Sequence, residues 1–369
     1  MTSAALLVAT AIAVLLDLDL ERQVIGAHDG RWYCLQEDLE PALSDALATN
    51  FTGLGWSSDL VAPLTGNLTN CQHLYLDAFH GSRLTSSMQP LAVALRAACS
   101  GGDGGSAGGE GRGGGVGMGT RPLRILDLEG SVIEDQGTTE LSPALAHCPT
   151  LTALHAPANR IGDVGARALA TALVGPPPHP GLQVLDLHAN RIGDYGADGL
   201  AMLLRLPAAE YVPVPLIELR LHDNRIGGHG TQLLAQSLRD NVHLETLMLS
   251  GNPIGDEGAS WLAHALVSRK PGRNSVMRKL FLAATNLTDA GAKALQGALE
   301  QPHAPVLDTL VLDGNPGLSA SARADLEDAV RRRQPSGAAG TALYAAPPSD
   351  TKATGMFVQA GGHRDAAPP

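Results

Sequence analysis

The chain has 369 residues, a formal net charge of −11 and an isoelectric point near 5.6. It carries no basic stripe, which excludes nucleic acid as a partner class. Aromatic residues make up only 3% of it, too few for the two or three ordinary globular cores that a chain of this length would otherwise hold.

Residues 4–16 (AALLVATAIAVLL) open the chain with an apolar run, well short of the roughly 20 residues that span a bilayer as a helix. No Lys or Arg precedes the run, and Asp17, Asp19 and Glu21 follow it, so it lacks the basic start and the cleavage site of a signal peptide. The alternation Leu16-Asp17-Leu18-Asp19-Leu20 predicts a strand with one wet face, with a targeting or membrane-anchoring segment as the alternative for 4–16, and residues 1–50 are expected to form an N-terminal cap. From 22 to 99 a strand-and-helix pattern recurs in degenerate form. Cys71, Leu74 and Leu76 fit a short strand, Leu91, Ala92 and Leu95 fit the helix after it, and Asn50 and Leu60 keep a ten-residue offset seen again downstream. Residues 100–120 are glycine-rich and read as a flexible loop inserted between a helix and the next strand.

Seven copies of L-x-x-L-x-L-x-x-N then follow, starting at Leu123, Leu151, Leu182, Leu216, Leu244, Met277 and Leu307, at spacings of 28, 31, 34, 28, 33 and 30 residues. Strand side chains alternate between two faces, so Leu126 and Leu128 point one way and Asp127 the other. Ten residues after each of the first six Asn positions comes Leu141, Leu169, Leu200, Leu234, Leu262 or Leu295, which predicts an Ala/Leu-rich helix behind a turn of constant length. Asn159, Asn190, Asn224, Asn252 and Asn315 should form a stacked ladder on buried backbone groups, with Ser131 and Thr285 as weaker rungs. Asp163, Asp194, Asp256 and Asp289 read as N-caps of the helices they precede, and Gly137, Gly165, Gly196, Gly230, Gly258 and Gly291 stand where coil meets helix. The run Arg331, Arg332, Arg333 ends the last predicted helix and complements its dipole. From 334 to 369 the chain is rich in Ala, Gly and Pro and is expected to be disordered.

This spacing resembles the leucine-rich repeat, and the N-R-I-G-D-x-G-A segments are similar to the long, ribonuclease-inhibitor-like class shared with Ran GTPase-activating protein and the repeat domains of NOD-like receptors. The resemblance implies an α/β solenoid over 51–333, a horseshoe with parallel strands on the concave face and helices on the convex face. Architecture of this kind does not fix function.

A partner would meet the strand residues that face away from the core. Down the stack the central row reads Asp127, His155, Asp186, Arg220, Met248, Phe281 and Val311, and the row two positions later adds His188 and His222. The predicted surface is charged and His-rich over the first four repeats. Over the last three it is apolar and open to solvent, as an interaction patch would be. No H-E-x-x-H, G-x-S-x-G or Walker sequence occurs, and Gly109, Gly111 and Gly114 match G-x-G-x-x-G only within low-complexity sequence. The expectation is therefore a non-enzymatic scaffold with no cofactor and no metal. It binds a protein partner of unknown identity, without nucleic acid or membrane, as a monomer or a subunit of a hetero-complex. The alternatives are a regulator of a small GTPase, which the resemblance implies, and a structural subunit of a large cytoskeletal assembly. Four cysteines (34, 71, 99 and 148) lie far apart and read as reduced thiols in a cytoplasmic protein.

Overall fold

The computed structural model describes residues 24–26, 33–35, 73–75, 88–100, 122–205, 214–267 and 276–334. The expected strand at 16–20, the degenerate unit around Asn50 and Leu60, most of the glycine-rich insertion and the segment after Gln334 lie outside the described residues.

Ten three-residue strands form one sheet in sequence order: β1 (Val24–Gly26), β2 (Tyr33–Leu35), β3 (His73–Tyr75), β4 (Ile125–Asp127), β5 (Ala153–His155), β6 (Val184–Asp186), β7 (Glu218–Arg220), β8 (Thr246–Met248), β9 (Lys279–Phe281) and β10 (Thr309–Val311). Among the described residues eight helices alternate with the later strands: α1 (Gln89–Ser100), α2 (Glu134–Ala146), α3 (Asp163–Leu173), α4 (Asp194–Leu204), α5 (Gly228–Leu238), α6 (Gly255–Leu266), α7 (Asp289–Leu299) and α8 (Ala320–Arg333). β3 to β10 are all parallel, whereas β1, β2 and β3 pair antiparallel. The described part of 22–35 is thus an antiparallel pair rather than a degenerate repeat. Across the glycine-rich insertion the register is unbroken, with Leu74 opposite Leu126.

Each repeat contributes the same set of leucines to a single core. Leu126, Leu154, Leu185, Leu219, Leu247 and Leu280 are within 1% of full burial, as are the helix residues Leu141, Leu169, Leu200, Leu234 and Leu295. Parallel sheets need cover on a face because their crossovers place helices there, and here the helices cover one face only.

The Asn ladder holds the turns. Asn190 donates from Nδ2 to Ala156 O, Leu187 O and His188 O, and its Oδ1 accepts from Asn159 N and Ile161 N of the preceding repeat. Asn224, Asn252 and Asn315 repeat the arrangement. Thr285 cannot do the same. Its hydroxyl donates to Leu282 O in its own turn, and Ile254 N, which an Asn side chain would have met, bonds to Asn252 O. The residue just before each rung has positive φ in all seven turns. Three are Gly130, Gly251 and Gly314, but Ala158, Ala189, Asp223 and Ala284 adopt it as well, at a steric cost that glycine avoids.

The aspartates do not cap the helices they precede. Asp163 is the first residue of α3, and Gly162 stands at its N-cap without a side-chain bond. The Asp163 carboxylate instead accepts from Gly193 N (2.6 Å) and Gly196 N (2.9 Å), at the start of the next repeat's helix. Asp135 serves α3 in this way, Asp194 serves α5, Asp256 serves α7 and Asp289 serves α8. A helix start leaves amides without intrahelical partners at its positive end, and stacking brings the neighbour's carboxylate closer to them than the helix's own. Burial pushes the Asp256 carboxyl up, but hydrogen bonds from Thr288 Oγ1, Thr288 N and Gly291 N hold it below its ordinary value. This arrangement explains the glycines. A Cβ on Gly196 would lie 2.7 Å from Asp163 Oδ1, and one on Gly230 2.5 Å from Asp194 Oδ1. Between α2 and α8 the relay breaks once, because Gly228 stands where α5 would carry its Asp. There α6 begins through Gly255 at φ 63°, and Gly255 N bonds forward to Thr285 O.

Cys99, in the last turn of α1, and Cys148, just after α2, are joined by a disulfide with their Cα atoms 4.9 Å apart. This corrects the expectation of reduced thiols. The two lie 49 residues apart in sequence, but equivalent corners of adjacent units come together in a stack.

Candidate functional site

The concave row is in register. Asp127 faces His155, His155 faces Asp186, Asp186 faces Arg220, Arg220 faces Met248, Met248 faces Phe281 and Phe281 faces Val311. Neighbouring strands lie about 4.8 Å apart, so side chains on consecutive rungs touch.

In the middle of the row these contacts build a fixed polar group. Asp186 is 2% exposed. Its Oδ1 accepts from His188 Nδ1 at 2.7 Å and from His188 N at 3.0 Å, and its Oδ2 accepts from Arg220 Nη1 at 3.2 Å. Arg220 Nε donates to Glu218 Oε1 at 2.7 Å. The His188 ring stacks on His222, with centroids 4.2 Å apart and planes within 9°, and the buried His222 Nδ1 has no hydrogen-bond partner. Asp127 shows the local motif of Asp186 without a His, its Oδ1 accepting from Glu129 N.

Charge follows from these contacts. Burial pulls the His188 imidazole down, but the hydrogen bond and charge of Asp186, with Glu129 and Asp223, outweigh it and leave His188 above its ordinary value. Burial, then the neighbouring His188 charge, pulls His222 down to about 4. Burial also lowers His155, and it takes His73, on β3 opposite Ile125, to about 4 with a contribution from His155. Of the stacked pair, His188 is therefore the ring that takes a proton more readily. Burial opposes ionisation of Asp186, yet its bonds to His188 and the Arg220 charge keep its carboxyl below the ordinary value. The group made by Asp186, His188, Arg220 and Glu218 holds an oriented imidazole and no hydroxyl or thiol nucleophile. Among the described residues no group of three or more His, Cys, Asp or Glu side chains could hold a metal ion.

The apolar half of the row differs from expectation. Phe281 is 8% exposed and Val311 2%, and with Ala283 they form a small cluster separate from the main core, with Met248 partly buried against it. Openness to solvent therefore fails for Phe281 and Val311 and holds only in part for Met248. Alternation set the face these residues occupy but could not show what lies over it.

Two anchors escaped the sequence reading. His179 is 1% exposed; its Nδ1 accepts from Gly181 N and Leu182 N, and its Nε2 meets Cys148 O. Asn241 does the same work on Leu204 O, His243 N and Leu244 N. Both sit three residues before a repeat's first Leu, and that shared offset was the available signal. Arg333 also has a role beyond the dipole, donating to Gln301 O, Pro302 O and Ala304 O in the preceding repeat.

A family profile described as leucine-rich repeat matches residues 147–170 and 240–263, which cover β5 with most of α3 and β8 with most of α6. Among solved structures, the chain is similar to an internalin (inlF) from Listeria monocytogenes str. 4b F2365, at 18% identity over 78% of this chain and 68% of that one, with a TM-score of 0.37. It is also similar to actin-binding site 2 of leiomodin-1, at 15% identity over 37% of this chain and 71% of that one, TM-score 0.28. A third is a pollen receptor kinase 3, at 19% identity over 48% and 67%, TM-score 0.28. No curated protein matches the chain. No described helix is long and apolar enough to cross a membrane.

Proposed function

We propose that this chain, with its stacked strand-helix units and two matches to a leucine-rich repeat profile, is a non-enzymatic leucine-rich repeat scaffold that binds a protein partner through the concave face of its sheet, centred on Asp127, His155, Asp186, His188, Arg220 and His222. Helix in every unit and repeats of 28 to 34 residues support placing it in the long, ribonuclease-inhibitor-like class. The carrying observation is the Asp186 group. Its side chains are locked to one another on the face turned away from the core, while the side chains of His188 and Arg220 remain 28% and 33% exposed. A surface pre-ordered in this way spends little conformational entropy on binding. The Cys99–Cys148 disulfide favours an oxidising setting over the cytoplasmic one expected, since disulfides persist in oxidising surroundings.

The test compares cross-linked partners of the native chain with those of two variants. His155→Ala with Arg220→Ala alters the concave face. Tyr195→Ala with Val164→Ala alters helix residues that are 78% and 66% exposed. The expected result is one partner shared by the native chain and the helix-face variant and lost from the concave variant. Retention by the concave variant, at an unchanged melting temperature, refutes the proposal.

A further inference from the structure

Among the described residues, the join between α1 and α2 lacks both devices that tie later units together. At the ladder, Ser131 holds the rung position of the first regular repeat, and a hydroxyl carries one donor where a carboxamide carries two and a carbonyl oxygen besides. At the helix starts, α1 has no acid in its first turn to serve α2, and Ile133 at the N-cap of α2 makes no side-chain bond. The two amides that a preceding carboxylate serves elsewhere are turned away from α1. Glu134 N donates forward to Asn159 O, and Gly137 N donates to Ile133 O in its own unit. Other joins miss only one device. Thr285 interrupts the ladder where the Asp256 relay is intact, and Gly228 interrupts the relay where Asn252 keeps the ladder. The covalent path is also longest here. From Ser100 to Ile125 is 25 residues, against 7 from Ala146 to Ala153 and 14 from Leu204 to Glu218, and a longer tether holds its ends together less well.

The Cys99–Cys148 disulfide stands at this join and ties the last turn of α1 to the corner just after α2. Beside it, β3 pairs with β4 over three residues, and Met88 N donates to the Glu140 carboxylate. What the join covers is core. Leu74, Leu91 and Leu95 on one side, and Leu126, Leu141 and Leu145 on the other, are at most 5% exposed. Cys148 is buried and Cys99 only partly so, which leaves the Cys99 end the more open to an incoming thiolate.

We propose that this disulfide is a redox-controlled clasp, which a dithiol opens to free the unit made by β3 and α1, with β1 and β2 attached, from regular repeats that then begin at β4. A thiolate of the dithiol attacks Cys99 Sγ, and Cys148 leaves as its thiolate. The second thiol of the reagent then displaces Cys99. Two cysteine thiols form, and the dithiol, which supplies both electrons and both protons, becomes a disulfide. Opening leaves β4 as an edge whose backbone groups can pair with another strand, and it bares the end of the core at Leu126, a surface that the oxidised chain keeps covered. The clasp does not depend on the partner-binding reading above, because the Asp186 group lies two strands further on.

Hydrogen exchange on the full chain, read by mass spectrometry with and without dithiothreitol and without denaturant, tests this. Reduction should speed exchange at 94–98 and 125–127 by at least about tenfold and leave the amides of β7 to β9 unchanged. Reoxidation should restore protection. Cys99→Ala with Cys148→Ala should show the fast exchange without reductant and change no further with it, which separates this bond from any effect of Cys34 and Cys71. Unchanged exchange at 94–98 and 125–127, once alkylation shows Cys99 and Cys148 to be reduced, overturns the proposal, because the remaining contacts would then hold the unit. Loss of protection from β4 through β9 alike overturns it too, since the bond would then support the whole fold. So does a bond that dithiothreitol leaves closed in the folded chain, and so does a response to reduction that the double variant does not reproduce.

Discussion

Asn190→Ala should be among the most damaging single substitutions in this chain. Removing the carboxamide takes away five hydrogen bonds, but not all of their partners are stranded. Leu187 O still accepts from Asn224 Nδ2, and His188 O from Ala158 N. Ala156 O, Asn159 N and Ile161 N lose the partner described for them, all in a buried turn. At about 1–3 kcal/mol for each stranded group, partly relieved by local relaxation, the loss comes to about 3–5 kcal/mol. Thr285→Ala is the internal control. Its hydroxyl serves Leu282 O, which keeps Asn315 Nδ2, so the cost should be about 0.5–1.5 kcal/mol. Asn190→Ser, which keeps an acceptor, should fall between. Urea unfolding followed by circular dichroism gives the midpoints and slopes for all three. If Asn190→Ala and Thr285→Ala shift the midpoint equally, with unchanged slopes, stranded backbone groups are not what the ladder prevents.

Asp163 and Gly196 should be coupled. Asp163→Ala strips two amides of their acceptor and should cost about 1–2 kcal/mol, while Gly196→Ala should cost less in that background than in the native chain, a difference that a double-mutant cycle measures. Leu247→Ala should cost about 2–5 kcal/mol through a core cavity. Phe281→Asp should lower stability as well, since it places a carboxylate in a covered cluster, and an unchanged melt would show the cluster to be open. Ala189→Gly should raise stability by about 0.5–1 kcal/mol by relieving the left-handed turn, read as a higher urea midpoint. His73 and His222, with folded values of about 4 against about 6.5 unfolded, bind fewer protons folded than unfolded between those values. Stability should therefore fall as pH drops from 6.5 towards 4. His188 is shifted the other way and supports the fold below 6.5, losing that support as pH rises through its folded value. Two depressed groups outweigh it, so a urea midpoint at pH 4.5 equal to or above that at pH 7 would contradict the burial of this face. Under non-reducing conditions alkylation should leave Cys99 and Cys148 unlabelled.

Much of this architecture was legible because a repeat states its rule several times. Leu126, Leu154 and their counterparts told the strand from its inner side, and the ten-residue offset to Leu141 and its counterparts told the helix. What stayed hidden was contact between units. Asp163 reads locally as a cap for its own helix, and only stacking shows that Gly193 and Gly196 are nearer its carboxylate. Cys99 and Cys148 likewise look remote until two corners are superposed. For the candidate site, alternation put Asp186, His188, Arg220 and His222 on one face, but it could not reveal that one carboxylate orients both an imidazole and a guanidinium. Nor could it reveal that Phe281 and Val311 are covered, because burial depends on chain far outside the local pattern.

The missing carboxylate at Gly228 has a consequence for how the molecule comes apart. Where each unit starts the helix of its successor, loss of one destabilises the next, and failure spreads in one direction along the chain. The boundary between α5 and α6 lacks that link. A growing disruption should stall there, splitting the stack into an earlier and a later block that open at different denaturant concentrations. Restoring an acid at position 228 would not fuse them unaided, because Gly255 has already turned the start of α6 towards the unit ahead.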